Sequence, residues 1–233
     1  MKISIVIPAF NEEKYIGRTL ESVNKLDTGG REVEVVVVNG GSTDRTAEIA
    51  ASYGAKVVNE PHKGIGFARQ EGLKAAKGEI VVFTDADTIV PSDWLTKHIN
   101  ALTNNDYSCS YGTYRVDKGN FPYFQITNYI QPAIVALANR LGIFLAGGQN
   151  IGCRREKALK IGGFDEKLEQ LEDADFVRRM KTVGKVVFLP NCVVLSSGRR
   201  SKEGWRYFLR AGWSDFRFFI LGRRDFLKFP DFR

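Results

Sequence analysis

At 233 residues the chain is long enough to bury a full hydrophobic core, and its 43% hydrophobic and 26% charged residues match an ordinary globular domain. This composition excludes a collagenous or low-complexity polypeptide, and no segment repeats. With 34 Lys and Arg against 27 Asp and Glu the net charge is +7, which points to acidic partners: nucleotide phosphates, anionic lipid or nucleic acid.

The N-terminal MKISIVIPAF carries an apolar run that stops at Pro8 without a cleavage-like site, so it reads as a first strand and not as a signal peptide. Further β-branched runs follow in VEVVVV, AKVVNE and EIVVFTD, alternating with helical patterns as in a parallel sheet with crossover helices. NEEKYIGRTLESV is expected to form the first helix, with Asn11 as N-cap, Glu12 and Glu13 in the first turn, and Ile16, Leu20 and Val23 on one face. The second helix follows GGSTD and ends at Gly54. The third runs through FARQEGLKAAK and stops at Gly78.

After Thr88 the rhythm changes. PSDWLTKHINAL reads as a helix, YSCSYGTYRV as a strand, and FPYFQITNYIQPAIVALANRLGIFL as aromatic and partly helical. GGQNIGCRREKALKIGGFDE leads to a helix through DADFVRRMKTVG and to strands in KVVFLPNCVVLSS. The expected fold class is α/β. One domain spans residues 1–200, with a nucleotide-binding half at 1–88 and a mixed acceptor-side half at 89–200 that includes antiparallel strands; a basic, aromatic helical extension covers 201–233. No window reaches the roughly 18 apolar residues of a spanning helix. Cys109, Cys153 and Cys192 are odd in number and lack metal-type spacing, which reads as free thiols in a reducing cytoplasm.

The sharpest chemical signal is FTDADT. Asp85 and Asp87 stand two apart at the end of an apolar strand, so an extended backbone points both carboxylates the same way. Such a pair suits Mg²⁺ or Mn²⁺ bridging a substrate diphosphate. Alone, the pattern is an ordinary solvated turn; its place at a strand's C-terminal end, where open α/β sheets keep their ligands, favours the metal. The stretch VVVVNGGSTDRT likewise runs from a strand into a turn, with uncharged Asn39 at the strand end.

These segments together, VIPAFNEEKYIGRTLESV, NGGSTDRT, KGIGFARQEGLKAAKGEIVVFTDADT, GGQNIGCRREKALKIGGFDE and LEDADFVRRM, resemble a family 2 glycosyltransferase with the GT-A fold over roughly residues 3 to 190. The resemblance implies an enzyme that inverts the anomeric centre while transferring sugar from a nucleotide-sugar donor. It implies that Pro8, Ala9, Asn11 and Glu12 touch the nucleoside, although Glu12 also reads as an ordinary first-turn glutamate. Asn39 stands where the family has an aspartate contacting the base; its amide both donates and accepts, which leaves the base identity open. Lys63 and Arg69 match positions that meet the nucleotide, Arg69 being the stronger candidate because lysines before a glycine loop are usually solvated. Asp173, with Glu172, matches the family's base, and a helix N-terminus would help keep Asp173 ionised. Gly147, Gly148, Gln149 and Asn150 read as a turn bringing backbone to the sugar or acceptor. The Q-x-x-R-W element of processive members is missing after Asp173, which favours transfer of one sugar to a glycan or polyprenyl-phosphate-linked acceptor.

In the C-terminal stretch, Trp205, Phe208, Leu209, Trp213, Phe216, Phe219 and Ile220 fall on one helical face, with Arg206, Arg210 and Arg217 along a flank. The face reads either as packed against the domain or as lying on an anionic membrane, with the protein peripheral on its cytoplasmic side. A sugar nucleotidyltransferase would usually carry a glycine-rich phosphate loop after the first strand, where PAFNEE stands. A nucleic-acid module is suggested by GRRSKEGWRYFLR but disfavoured by the carboxylates at Asp85 and Asp87.

Overall fold

The computed structural model describes residues 1–103, 106–168 and 170–223; residues 224–233 of the expected C-terminal extension lie outside the described residues. The first half alternates as expected: β1 (Lys2–Ala9), α1 (Ile16–Asn24), β2 (Glu32–Asn39), α2 (Thr46–Ser52), β3 (Lys56–Asn59), α3 (Ile65–Ala75) and β4 (Ile80–Phe83). β5 (Thr88–Ile89), α4 (Trp94–Thr103) and β6 (Tyr107–Val116) follow. Short α5 (Tyr123–Gln125) continues through a π-helical turn at Ile126–Ile130 into α6 (Gln131–Arg140). A 3₁₀ turn at Gly148–Asn150 precedes β7 (Ile151–Arg154), α7 (Arg155–Lys160), α8 (Glu172–Met180) and β8 (Lys185–Ser196). A second 3₁₀ turn, Gly198–Glu203, leads to α9 (Trp205–Phe219).

The strands form an eight-stranded sheet in the order β3-β2-β1-β4-β7-β6-β8-β5. β1 to β4 are parallel, which their unbroken apolar runs anticipated. The second half is mixed: β7 is antiparallel to β4 and β6, β5 is antiparallel to β8, and β6 runs parallel to β8. KVVFLPNCVVLSS, expected as several strands, is one irregular strand. Its register with β6 slips between Phe188 and Val193, around Pro190, which has no N–H to give the ladder.

Successive side chains on a strand face opposite ways, and both faces are buried. Ile3, Ile5, Ile7, Val37, Ile80 and Val82 pack with Ile16, Leu20 and Val23 of α1 and with Trp94, Leu95 and Ile99 of α4. Val6, Val36, Val38, Val81 and Phe83 pack on the other face with Leu73 of α3 and Phe176, Val177 and Met180 of α8. The sheet is thus a rigid floor whose strand ends position the loops above it.

Two boundaries differ from expectation. Helix α1 begins at Ile16, a turn later than Asn11, which adopts a left-handed φ of 53° and is a loop residue, not an N-cap. Helix α3 ends at Ala75, before Gly78. Gly78 serves a different purpose: a Cβ there would run into the backbone of Ile3 and Ser4, so the chain passes β1 only without a side chain. No helix among the described residues is long and apolar enough to cross a membrane, and all three cysteines are buried and free.

Candidate active site

From β1 the chain moves outward through β2 to β3, then returns to place β4 on β1's other side. The C-terminal ends of β1 and β4 therefore flank a topological switch point, where open α/β sheets form their ligand crevice. The turns after β1 and β2 close one side of it by exchanging hydrogen bonds. Thr43 N donates to Asn11 Oδ1 at 2.9 Å, Asn11 N to Ser42 Oγ at 2.9 Å, and Glu12 N to the buried Thr46 Oγ1 at 2.7 Å. Ser42 and Thr43 of GSTD thus fasten one turn to the other, while Asp44 both accepts from Glu13 N at 3.1 Å and caps the start of α2, its Oδ1 accepting from Thr46 N at 3.0 Å. Asn39, only 8% exposed, accepts from Ser42 N at 3.0 Å and donates to Asn59 Oδ1 at 3.0 Å, which ties the ends of β2 and β3. Pro8 and Ala9 end β1 within the sheet, and Lys63 is exposed.

Asp85 and Asp87 do not continue the strand. β4 stops at Phe83, and a turn closed by Thr88 N donating to Asp85 O at 3.2 Å carries both residues. The expected parallel carboxylates on extended backbone are replaced by two carboxylates that each meet a different arginine. Arg69 Nη2 donates to Asp85 Oδ1 at 2.8 Å, and its Nη1 pairs with Glu172 Oε1. Arg199 Nε lies 3.1 Å from Asp87 Oδ2, and its two Nη atoms clasp both oxygens of Glu12 at 2.8 and 2.9 Å. Ser197 Oγ donates to Asp87 Oδ2, and Ser197 N to Asp87 O at 3.1 Å. Burial holds the Asp87 carboxyl above the usual carboxylate range, against the opposing charge of Arg199. Burial works against the charge on Arg69 too, but Asp85, Glu172 and Asp173 outweigh it and keep the guanidinium firmly protonated.

Helix α8 brings Glu172 and Asp173 to the same cluster. Glu172 is 4% exposed and spent on Arg69. Asp173 Oδ2 accepts from Gly148 N at 2.7 Å, and Oδ1 from Ala174 N at 2.7 Å. The expectation that the helix N-terminus leaves Asp173 readily ionised is corrected: burial outweighs Arg69 and these backbone donors, and the carboxyl sits above its ordinary value. A Cβ at Gly148 would fall on the Arg69 guanidinium, so glycine there lets the turn close over the cluster. Asn150 belongs to the core and is not presented to the crevice. Its Nδ2 donates to Thr113 O and Cys192 O at 2.8 Å, and its Oδ1 accepts from Trp94 Nε1 at 2.9 Å. Gln149, half-buried beside these glycines, keeps its amide free of described partners.

Three site residues escaped the sequence reading: Ser197, Arg199 and Asp215. The signal for the first two was SSGRR directly after the last strand. For Asp215 it was a single acid within the fifteen residues of α9. The Asp215 carboxyl is pushed up to about 7 by burial and by the nearby charge of Asp173. Helix α9 packs through Ser214 and Phe218, the latter under Arg178 of α8 at 5.1 Å, while Trp205, Leu209, Trp213, Phe216 and Ile220 remain exposed. Phe208 and Phe219, expected on the same face, are half-buried, and Arg210 pairs with Glu203 at 2.6 Å.

The carboxylates suit a hard divalent cation shared with substrate. Asp85 Oδ2 and Asp87 Oδ1 accept no hydrogen bond from the described residues, and the Asp85 side chain is 30% exposed. Among the described residues no cluster of three or more His, Cys, Asp or Glu forms a protein cage. Mg²⁺ and Mn²⁺ are commonly held by one or two carboxylates, with phosphate and water completing the shell.

Residues 4–162 match the family model described as glycosyl transferase family 2. A dolichyl-phosphate hexose transferase of Haloferax volcanii is 38% identical over 117 residues, covering 50% of this chain and 49% of that protein, so the match spans about half the relative's length. The structure of Staphylococcus aureus TarS residues 1–349 in complex with UDP-GlcNAc is 26% identical and superposes with a TM-score of 0.67 over 85% of this chain and 59% of the other. A mannosyltransferase of Pyrobaculum calidifontis, in complex with GDP-Man and Mn²⁺, shares the fold at a TM-score of 0.74 and 22% identity, covering 97% of this chain and 65% of that one. The α/β architecture is thus that of the GT-A glycosyltransferases.

Proposed function

The chain belongs to glycosyl transferase family 2, and from that premise we propose that it moves one hexosyl unit, with inversion, from a nucleoside-diphosphate sugar to a glycan or polyprenyl-phosphate-linked acceptor. The observation that carries this reading is the Asp85–Asp87 turn at the switch point, with the turns after β1 and β2 on one side and Asp173 on the other. The nucleotide-sugar complexes of the similar structures support it, and so does the dolichyl phosphate in the name of the Haloferax relative.

In this reading the turn from Pro8 to Glu12 receives the nucleoside. Asn39 presents the amide hydrogen not used by Asn59 to a base carbonyl. Asp85 and Asp87 would hold Mg²⁺ or Mn²⁺, whose charge favours departure of a nucleoside diphosphate. Arg69, itself paired with Glu172, keeps the Asp85 carboxylate in place, and Gly148 N and Ala174 N hold that of Asp173. Asp173 accepts the proton of an acceptor hydroxyl while its oxygen forms the new bond to the anomeric carbon. The old bond to the β-phosphate oxygen breaks, and its electron pair leaves with the diphosphate. A carboxyl raised by burial is a stronger base once ionised, which suits this step. Gly147, Gly148 and Gln149 line the sugar side. Helix α9, with its exposed Trp205, Leu209, Trp213, Phe216 and Ile220, lies on anionic lipid at the cytoplasmic face of a membrane and delivers the site to a lipid-linked acceptor.

A thermal-shift screen with UDP, GDP, TDP and CDP, each with and without Mn²⁺, tests the reading. One of these nucleotides is expected to raise the melting temperature only when Mn²⁺ is present, and Asp87→Asn is expected to remove both that shift and transfer. Indifference to all four nucleotides, or full activity of Asp87→Asn in EDTA, would overturn it.

A further inference from the structure

The segment leading into and through α6 leaves a broad apolar face bare. Phe121, Tyr129, Ile130, Ile134, Leu137 and Leu141 are 80%, 70%, 51%, 49%, 59% and 71% exposed. Ile130, Ile134, Leu137 and Leu141 follow the spacing of one helical face. The opposite side is fastened: Val135 and Ala138 are buried, Tyr111 Oη donates to Asn139 Oδ1 at 2.9 Å, and Val116 N donates to Asn128 Oδ1 at 2.8 Å. The bare face is therefore held outward by a helix that is itself well anchored.

Charge decides what such a face fits. From Gly119 to Gly142 the only charged residue is Arg140. Arg140 shares an open groove beside Gly142 with Lys181 and Lys185, and the one acid lining that groove, Asp106, pairs with Lys185 at 3.1 Å. Lys118 is exposed at the other end of the segment, beside the exposed Asp117. An apolar stripe with Arg140 and Lys181, neither in an ion pair among the described residues, at its C-terminal end matches acyl chains bordered by anionic headgroups.

We propose that the outer face of this segment, from Phe121 to Leu141, is a second lipid-seating surface, specific for anionic phospholipid. It rests on the membrane part of the proposed function but uses residues other than those of α9. Tyr123 packs against Tyr207 and Phe208, with ring centroids 5.2 and 5.5 Å apart, so the two surfaces are joined at their base. One helix on a bilayer can roll about its axis. Two joined surfaces fix the tilt of the crevice relative to the lipid.

The test is co-sedimentation of the full chain with vesicles of phosphatidylglycerol and phosphatidylcholine, against phosphatidylcholine alone. In parallel, the nucleotide and Mn²⁺ thermal shift is measured without lipid. The double variant Leu137→Glu/Leu141→Glu is expected to weaken binding to anionic vesicles by about tenfold or more while the nucleotide shift stays as in the wild type. Should that variant fail to fold, Arg140→Ser/Lys181→Ser, at exposed positions, is expected to weaken binding by roughly tenfold or more and to flatten its salt dependence. Unchanged vesicle binding in the folded variants overturns the proposal. So does a wild-type dimer that Leu137→Glu/Leu141→Glu converts to monomer, which would assign the face to a second copy. Absence of any nucleotide shift with intact vesicle binding would refute the glycosyltransferase reading and leave this surface standing.

Discussion

Two arginines receive the two aspartates of the same turn, and they are built differently. Arg69 comes from α3 in the parallel half, is 3% exposed, and joins Asp85 to Glu172. Arg199 comes from the segment after β8, beyond the residues that match the family model, is 19% exposed, and joins Asp87 to Glu12. The first arginine joins α3 to α8 and to the turn after β4, with buried Glu172 and partly exposed Asp85 and Asp173 around it, so removing it strands charge in a largely closed site. The second straps a surface segment across the crevice mouth, stacked on Tyr15 at 5.3 Å. The comparison teaches that one half of the site is a fixed skeleton while the other is assembled by a clasp from a segment outside the sheet.

The sharpest attempt to break this contrast is Arg69→Met, which keeps apolar volume but deletes the charge. Glu172 and Asp173 are already raised by burial, and Arg69 is what opposes it. The variant is expected to lose about 3–5 kcal/mol of stability, as when one partner of a buried ion pair is removed, and with it transfer. Urea denaturation reads the loss. A cost below about 1 kcal/mol would show that Arg69 is no skeleton.

Next in size is Asp173→Asn, which leaves Arg69 paired with Asp85 and Glu172 and removes the proton acceptor together with one of the two backbone hydrogen bonds to Asp173. With a hydroxyl acceptor, turnover is expected to fall by about 10²–10⁴ while donor affinity changes little. A phosphate acceptor is already ionised near neutral pH and needs no such base. A near-normal rate with an unchanged nucleotide shift would therefore reject Asp173 as the base and turn the acceptor question toward polyprenyl phosphate.

The parallel half was legible because β-branched runs and helical spacing are local signals. Ile16, Leu20 and Val23 fell on the core face as their periodicity required. The failures share a cause, which is a partner far away in sequence. Asn11 looked like a cap because caps are local, yet its side chain serves Thr43, 32 residues on. Asn150 looked like turn chemistry beside two glycines, but Trp94 and His98 from α4 claim its carbonyl. Asp85 and Asp87 were readable as a pair at a strand end, while the turn that separates their partners begins one residue after the apolar run stops. Arg199 was hidden most completely, since nothing near SSGRR announces that Glu12 lies 187 residues back. In α9 the aromatic face was evident from spacing, but which flank packs depends on the surface it meets, and Ser214 and Phe218 took that place.

The smallest expected effect belongs to Arg199→Met, and pH separates its two explanations. Asp87 is held above the usual carboxylate range by burial, with Arg199 pulling it back down. A carboxyl raised in the folded state contributes stability that is fully present below its unfolded value and is lost as pH rises through the folded value. Deleting Arg199 moves the folded value of Asp87 further up, so the loss grows and extends to higher pH. In acid, Asp87 is protonated in both states and the variant is expected to match the wild type closely. Toward neutrality the two are expected to diverge by about 2 kcal/mol, less than the cost of Arg69→Met because the clasp is partly open to water. Denaturation midpoints across a pH series measure the divergence. An offset that is the same at every pH would assign Arg199 to packing on Tyr15, whereas a divergence as large as that of Arg69→Met would mean that both arginines belong to one skeleton.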